Sequence, residues 1–372
     1  MTPRKSRGNR ALSKFVARKT LRTGRRCVFL VLCFLLLGRN TKSFERGEEA
    51  SSLCSIRSEP FSRAWLLSQL EEFREVFDHQ PLKHSSSGSQ RLFHAFAQWC
   101  VVRHVRPRLI VENGVKLGWN THLLRQAAGP ETHIVIISPY LPSEVAKHLG
   151  QSYYEDSGKS TYLSGADFVD FRTVNWDNVA GSAIDFETAL VYFNDHQSGY
   201  RRLIEAQQAG FKHLVFDDGR PWPGDSYTLK QACDFDGRLA NLRSGRHNQG
   251  HRVVEYHDDF SNFVSEINAT EKYCVFRDVT QRIRTYYEFP PLWEGAFHQH
   301  TSLRELSKMT QRPLLESAGA SEFLSKFKRR KLGMKREASR YNFFTYAVAT
   351  SEPQVPADCF AGASFPLRYR VP

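Results

Sequence analysis

Residues Leu109–Thr121 read LIVENGVKLGWNT. Three apolar residues, Leu109, Ile110 and Val111, run into the acid Glu112, and Gly114 and Gly118 then bracket a tight turn. Thr121-His122-Leu123-Leu124-Arg125 follows with helical character. A strand, a glycine loop and a helix form the unit that opens a nucleotide-binding α/β domain. Glycine lets the backbone bend sharply and approach a ligand, because no Cβ stands in the way. The helix start offers free N–H groups, and a carboxylate at the strand tip can receive a cationic or hydroxyl-bearing group. Such a turn also serves packing alone, so the rest of the chain has to decide.

The second informative stretch lies downstream. Ala189–Phe193 (ALVYF) reads as a strand ending in Asn194-Asp195-His196-Gln197. Tyr200–Ala209 reads as a helix closed by Gly210, and Phe211–Phe216 (FKHLVF) as a further strand ending in Asp217-Asp218-Gly219. Two successive parallel strands thus discharge carboxylates at the edge where open α/β sheets hold their ligands. A lone acid there often bonds turn amides; two in consecutive strands suggest a site.

Glu112 to Thr121 resembles motif I of the class I S-adenosylmethionine-dependent methyltransferases, in the form acid-x-Gly-x-x-x-Gly-x-x-Thr. VYFNDHQ and FKHLVFDDG resemble the fourth and fifth strands of that fold. The similarity is greatest to the sugar- and macrocin-type O-methyltransferase-like branch with its plant and algal relatives, over about Arg91–Pro291. It implies a Rossmann-like, doubly wound, mostly parallel sheet with helices on both faces. It further implies that Glu112, Gly114, Gly118 and Thr121 hold the methionine part of S-adenosylmethionine. In metal-dependent members, acids at the positions of Asp195, Asp217 and Asp218 bind Mg²⁺, and His196 stands where a general base would work beside Asp195. The acid expected after the second strand is missing after Ile137, which leaves Ser138 or Tyr140 to meet the adenosine.

Methyl transfer to oxygen is chiefly a positioning problem. A hard cation on oxygen ligands would lower the acceptor hydroxyl's pKa, and an imidazole can take its proton. Three carboxylates clustered without a cation would push one another's pKa values up.

The formal charge of +13 over 372 residues invites a nucleic-acid reading, but its distribution removes it. Residues 1–43 hold twelve Lys or Arg and no acid, so the remainder is close to neutral. That is not the footprint of a nucleic-acid binder. The basic leader, residues 1–26, runs into the apolar Cys27–Leu37 (CVFLVLCFLLL), about half of the roughly 20 residues of a comfortable span. A short signal anchor over 27–38 fits, with a basic cytoplasmic tail, a stem over 39–60 and a lumenal body in the Golgi or another secretory compartment. The rival is an organelle transit peptide, since the leader is Arg-rich and acid-free. Of the later cysteines, Cys233 and Cys274 could pair in an oxidising lumen, and Asn268-Ala269-Thr270 is a glycosylation acceptor there.

The body divides into an α/β domain over 61–300 and a C-terminal helical and strand extension over 301–372. Phe61–Phe77 and Arg91–Val105 read as helices before the first strand, with His94 and His104 in core or surface roles. Thr132–Ile137 reads as a buried strand, Gln151–Ser164 as irregular, and Phe168–Phe171 as a short strand continuing into Trp176. Tyr341–Ala349 reads as a late strand at the sheet edge, and the basic run Lys326–Arg336 as a solvated face.

The reading that follows is an O-methyltransferase acting on a hydroxyl of a sugar, other glycan or small metabolite, with S-adenosylmethionine and optional Mg²⁺. Two alternatives stand beside it. One is a type II membrane glycosyltransferase using the D-x-D triplet Asp234-Phe235-Asp236. The other is a methyltransferase-like scaffold without catalysis.

Overall fold

The computed structural model describes residues 59–82, 91–180, 185–217, 228–233, 252–256, 262–266, 269–293, 312–328, 332–333, 337, 341 and 343–351. Five parallel strands carry the fold: β1 (Leu109–Asn113), β2 (His133–Ser138), β3 (Ser160–Ser164), β4 (Leu190–Phe193) and β5 (His213–Phe216). Two more follow the short antiparallel hairpin β6 (Arg252–Tyr256) and β7 (Asn262–Glu266): β8 (Ile283–Glu288) and β9 (Thr345–Ala349). The seven-stranded order is β3-β2-β1-β4-β5-β9-β8, with β9 antiparallel to both its neighbours.

Each parallel step needs a helical crossover. Those described are α4 (Trp119–Ala128) between β1 and β2, α5 (Pro142–Leu149) between β2 and β3, and α7 (Gly199–Gln208) between β4 and β5. The short α6 (Trp176–Ala180) precedes β4. From β1 the order runs outward through β2 to β3 on one side and through β4 to β5 on the other. The switch point therefore falls between β1 and β4, where the order reverses and open α/β sheets hold their ligands at the carboxyl edge.

Alternation along the strands sends side chains into two cores. Ile110, Ile134, Ile136, Leu190, Tyr192 and Val215 pack on one face. There they meet the N-terminal helices α1 (Arg63–Ser68), α2 (Leu70–Asp78) and α3 (Leu92–Val105), with α10 (Ser317–Ser325). Val111, Val135, Ile137, Val191, Phe193, Leu214 and Phe216 face the other way. They meet α7, α8 (Leu229–Cys233) and α9 (Ala269–Arg282).

Helix α3 is buried from Leu92 through Val102, because it packs against α4 and α2 within the core on the first face of the sheet. Its run antiparallel to β1 brings its N-terminal turn to the carboxyl edge of the sheet.

The structure departs from the sequence reading in four places. Phe61–Phe77 is two helices that meet at Gln69. The third strand is Ser160–Ser164, inside the stretch read as irregular, because a half-buried edge strand needs no apolar run. Phe168–Phe171 is not a strand; single 3₁₀ turns flank it, and Phe171 inserts its ring into the second core. The late strand β9 lies between β5 and β8 rather than at the edge. Residues 345–349, read as part of an extension, thus belong to the main sheet.

The apolar stretch 27–38 and all of the stem but Glu59 and Pro60 lie outside the described residues, as do Asn268, Asp218, Asp234 and Asp236. No helix among the described residues is long and apolar enough to cross a membrane. Cys233 and Cys274 are both disulfide-bonded, and Cys100 is a buried free thiol.

Candidate functional site

The tips of β1, β4 and β5 converge on one rim, and hydrogen bonds stitch it together. The Asn194 amide donates to the Asn113 carbonyl at 2.8 Å, and the Asp217 amide to the Phe193 carbonyl at 3.1 Å. Asn113 Nδ2 also donates to Asp195 Oδ2 at 2.8 Å.

The glycine loop is tailored to the chain's own backbone. Gly114, at φ +97°, would drive a Cβ to 2.4 Å from the Asn194 carbonyl oxygen. Gly118, at φ +80°, would place one 1.9 Å from the Tyr154 carbonyl oxygen. Segment 151–157 lies across the loop there, and the Tyr154 amide donates to the Leu117 carbonyl at 2.9 Å. Arg125 of α4 holds that segment down. Its Nη2 reaches Asp156 Oδ2 at 2.7 Å, and its Nη1 the carbonyls of Gly129 and Thr132 at 2.7 and 2.6 Å. Ser138 contributes to the same construction, its hydroxyl donating to the Val115 carbonyl at 3.0 Å.

Glu112 is the anomaly of this rim. It is 0% exposed, and neither carboxylate oxygen has a hydrogen-bond partner among the described residues. Thr121 faces it with a buried hydroxyl that also lacks a partner. Burial pushes the Glu112 carboxyl up to about 8; Asp156 adds to the rise and the Thr121 hydroxyl opposes it. A buried acid left unpaired costs roughly 1–3 kcal/mol even when neutral, and far more when ionised. Such a group marks a place where a water, an ion, a ligand or a catalytic role accounts for the missing bonds.

Asp195 and Asp217 are different. Asp195 accepts from Arg202 Nε at 2.8 Å; Arg202 also holds Asp170 at 2.9 Å and Glu205 at 2.5 Å. Burial raises the Asp195 carboxyl, with Arg202 pulling against the rise and Asp170 adding to it. Asp217 turns to the other face, pairing with His94 Nδ1 of α3 and accepting from the Tyr192 hydroxyl at 2.9 Å. Tyr192 in turn accepts from Asn120 Nδ2 at 3.1 Å. Burial alone would raise Asp217, but His94 and the Tyr192 hydroxyl hold it below the usual carboxylate range.

The two aspartates are therefore committed to different partners on opposite faces of the sheet. Among the described residues no group of three or more His, Cys, Asp or Glu could hold a metal ion. Of the three acids expected to hold Mg²⁺, Asp195 and Asp217 are paired with Arg202 and His94, and Asp218 lies outside the described residues.

His196 sits at φ +55° and is exposed. With Asp195, Arg202, Asp217 and Thr228 it lines a hollow of about 20 Å³, room for one water. A far roomier cleft, about 670 Å³, opens at the opposite edge, where the strands begin, lined by Arg103, Arg106, Arg108, His133 and Lys159 among others.

Sequence reasoning passed over the residues that decide the aspartates' roles. His94 reads from sequence as a core or surface residue of its helix, and nothing in YRRLIEAQQA singles out Arg202. The i+7 spacing from Asp195 to Arg202 was the one signal available, since it spans the loop and first turn of α7. Nothing local links His94 to Asp217.

No family model matches the chain, and no curated protein does. Solved structures match in part. The O-methyltransferase TomG from Streptomyces achromogenes, in complex with SAM, is 13% identical, covering 43% of this chain and 66% of that one at a TM-score of 0.24. Cofactor-bound Rv0187 from MTB is 16% identical over 41% and 64%, at 0.23. The SAH-bound methyltransferase PaMTH1 from Podospora anserina is 17% identical over 48% and 72%, at 0.24. The chain thus spans just under two thirds of the first two. Likeness of this size assigns no residue a role. The doubly wound α/β class stands on this chain's own strand order.

Proposed function

We propose that the chain is an S-adenosylmethionine-dependent O-methyltransferase whose acceptor is a hydroxyl of a sugar or small metabolite. The observation that carries the reading is Glu112: an unpaired, wholly buried carboxyl at the switch point, heading a glycine loop. A positively charged ligand group is what that carboxyl lacks. The motif that Glu112 to Thr121 resembles belongs to enzymes with such a ligand.

When bound, the cofactor supplies an electrophilic methyl on a sulfonium. The chain's own groups do the rest. Glu112 supplies the counter-charge to the cationic end, and Gly114 and Gly118 let the loop close against β4 and segment 151–157 without a Cβ in the way. Ser138 keeps that loop in place through Val115. At the neighbouring tip, exposed His196 takes the acceptor's proton while Asp195, fixed by Arg202 and Asn113, holds the backbone beneath it. The disulfide state of Cys233 and Cys274 supports an oxidising compartment, which suits a lumenal body behind an N-terminal anchor.

One observation favours a second reading, a non-catalytic member of the fold. The rim between β4 and β5 leaves only about 20 Å³ among the described residues. Equilibrium dialysis of the full chain against S-adenosyl-[methyl-³H]methionine separates the two. The enzyme reading expects saturable retention, weakened about tenfold or more by E112L, the loss of one charged contact. No retention selects the scaffold.

A further inference from the structure

The roomy cleft at the opposite edge is lined by Arg103 and Arg106 at the C-terminal end of α3, where the helix dipole draws cations, and by Arg108, Lys159, Glu131 and Asp185. Arg202 and His94 are each paired with a rim aspartate. Glu112 has no such partner within the fold.

We propose that the cationic end of the ligand is admitted by exchange for a proton: Glu112 rests as the neutral acid in the free protein and ionises only when a ligand ammonium or sulfonium comes against it. This rests on the methyltransferase reading and adds to it a charge state and a coupling.

The geometry comes first. Both oxygens are buried and make no hydrogen bond within the fold, so an anion there would have no solvation and only the Thr121 hydroxyl to favour it. The surroundings offer no further relief. From α4 it is faced by Thr121, a neutral hydroxyl, with Arg125 a turn beyond. Arg125 is committed to Asp156 and to main-chain carbonyls. From segment 151–157 comes Asp156, a like charge. From β3 comes Tyr162, whose hydroxyl is pushed up in part by Glu112. On either side in the sheet stand Tyr192 of β4 and Ile136 of β2. The shift of the carboxyl to about 8 agrees with this setting.

The exchange balances. The O–H bond of Glu112 breaks, its electron pair stays on oxygen, the proton passes to buffer, and the carboxylate meets the arriving cation. No oxidant or reductant is involved.

The test is calorimetry of the full chain with S-adenosylmethionine in buffers of different ionisation enthalpy. A group titrating near 8 should release about nine-tenths of a proton per ligand bound at pH 7. Affinity should rise about tenfold from pH 6 to 7 and level off above 8. E112Q should bind more weakly, with no such release and no such slope; it also subtracts the titration of the ligand and of His196. S-adenosylhomocysteine, which keeps the ammonium and lacks the sulfonium, should release the same proton if the ammonium is the partner and none if the sulfonium is.

Binding of S-adenosylmethionine without proton release, or an unchanged slope in E112Q, overturns the inference. A ligand-free measurement keeps it testable if neither compound binds, an outcome that would instead remove the methyltransferase reading. Between pH 5 and 7.5 the wild type's unfolding equilibrium should shift toward the unfolded state relative to E112Q, by up to tenfold per pH unit. A constant difference between the two proteins would show that Glu112 is already ionised.

Discussion

The rim holds two kinds of acid, and their contrast is instructive. Asp195 and Asp217 follow strands β4 and β5, and each has a cation: Arg202 from α7 for one, His94 from α3 for the other. Glu112 closes β1 and has none. All three occupy the same topological position, the carboxyl end of a parallel strand. Position therefore makes an acid available to a ligand, but the neighbouring helices decide whether it is spare. The β4 and β5 acids hold the rim together, and the β1 acid is left for something that arrives.

Removing the Asp195 side's cation should have the largest effect. R202M leaves Asp170, Asp195 and Glu205 without their shared guanidinium. Breaking a buried pair this way costs about 3–5 kcal/mol, read as a lower urea midpoint. If R202M unfolded at the wild-type midpoint, Asp195 would be free and the contrast would vanish.

G118A comes next. A Cβ at φ +80° must displace the Tyr154 backbone, a strain of about 2–3 kcal/mol. Wild-type stability in G118A would mean that segment 151–157 does not lie across the loop.

D217N should cost about 2 kcal/mol, a charged hydrogen bond replaced by a neutral one. Its pH dependence has a definite sign. A carboxyl held below its ordinary value contributes stability above that value and loses it as pH falls through the folded pKa. The wild type should therefore weaken on acidification more than D217N does, in parallel denaturation series from pH 6 to 3.

E112Q should act with the opposite sign, stabilising the free protein progressively as pH rises from 4.5 toward 8. Glu112 is raised from 4.5 to about 8, so the unfolded chain sheds its proton first and wild-type stability declines across that interval. Below pH 4.5 the two proteins should coincide. A destabilising E112Q would place Glu112 with the aspartates as a structural acid.

The parallel strands were legible because β1, β2, β4 and β5 are runs of Ile, Val, Leu and Phe buried on both faces. Strand β3, Ser-Thr-Tyr-Leu-Ser, was not, since an edge strand covered on one side carries no such signature. Tyr341–Ala349 could be read as a strand but not placed: local pattern says nothing about pairing with His213–Phe216, some 130 residues earlier. The rim acids and the glycine loop could be picked out one by one. What the loop's glycines pack against, and which acid is paired, depends on Tyr154, Arg125, Arg202 and His94. Those residues arrive from elements whose packing only the folded sheet decides.

A crystal structure of the full chain with S-adenosylhomocysteine tests the assignment of the rim most directly. The proposed reading predicts the ligand at the carboxyl edge between β1 and β4, with its amino nitrogen about 3 Å from a Glu112 oxygen. Density for the ligand in the arginine-lined cleft at the opposite edge, with Glu112 still unpartnered, would contradict it.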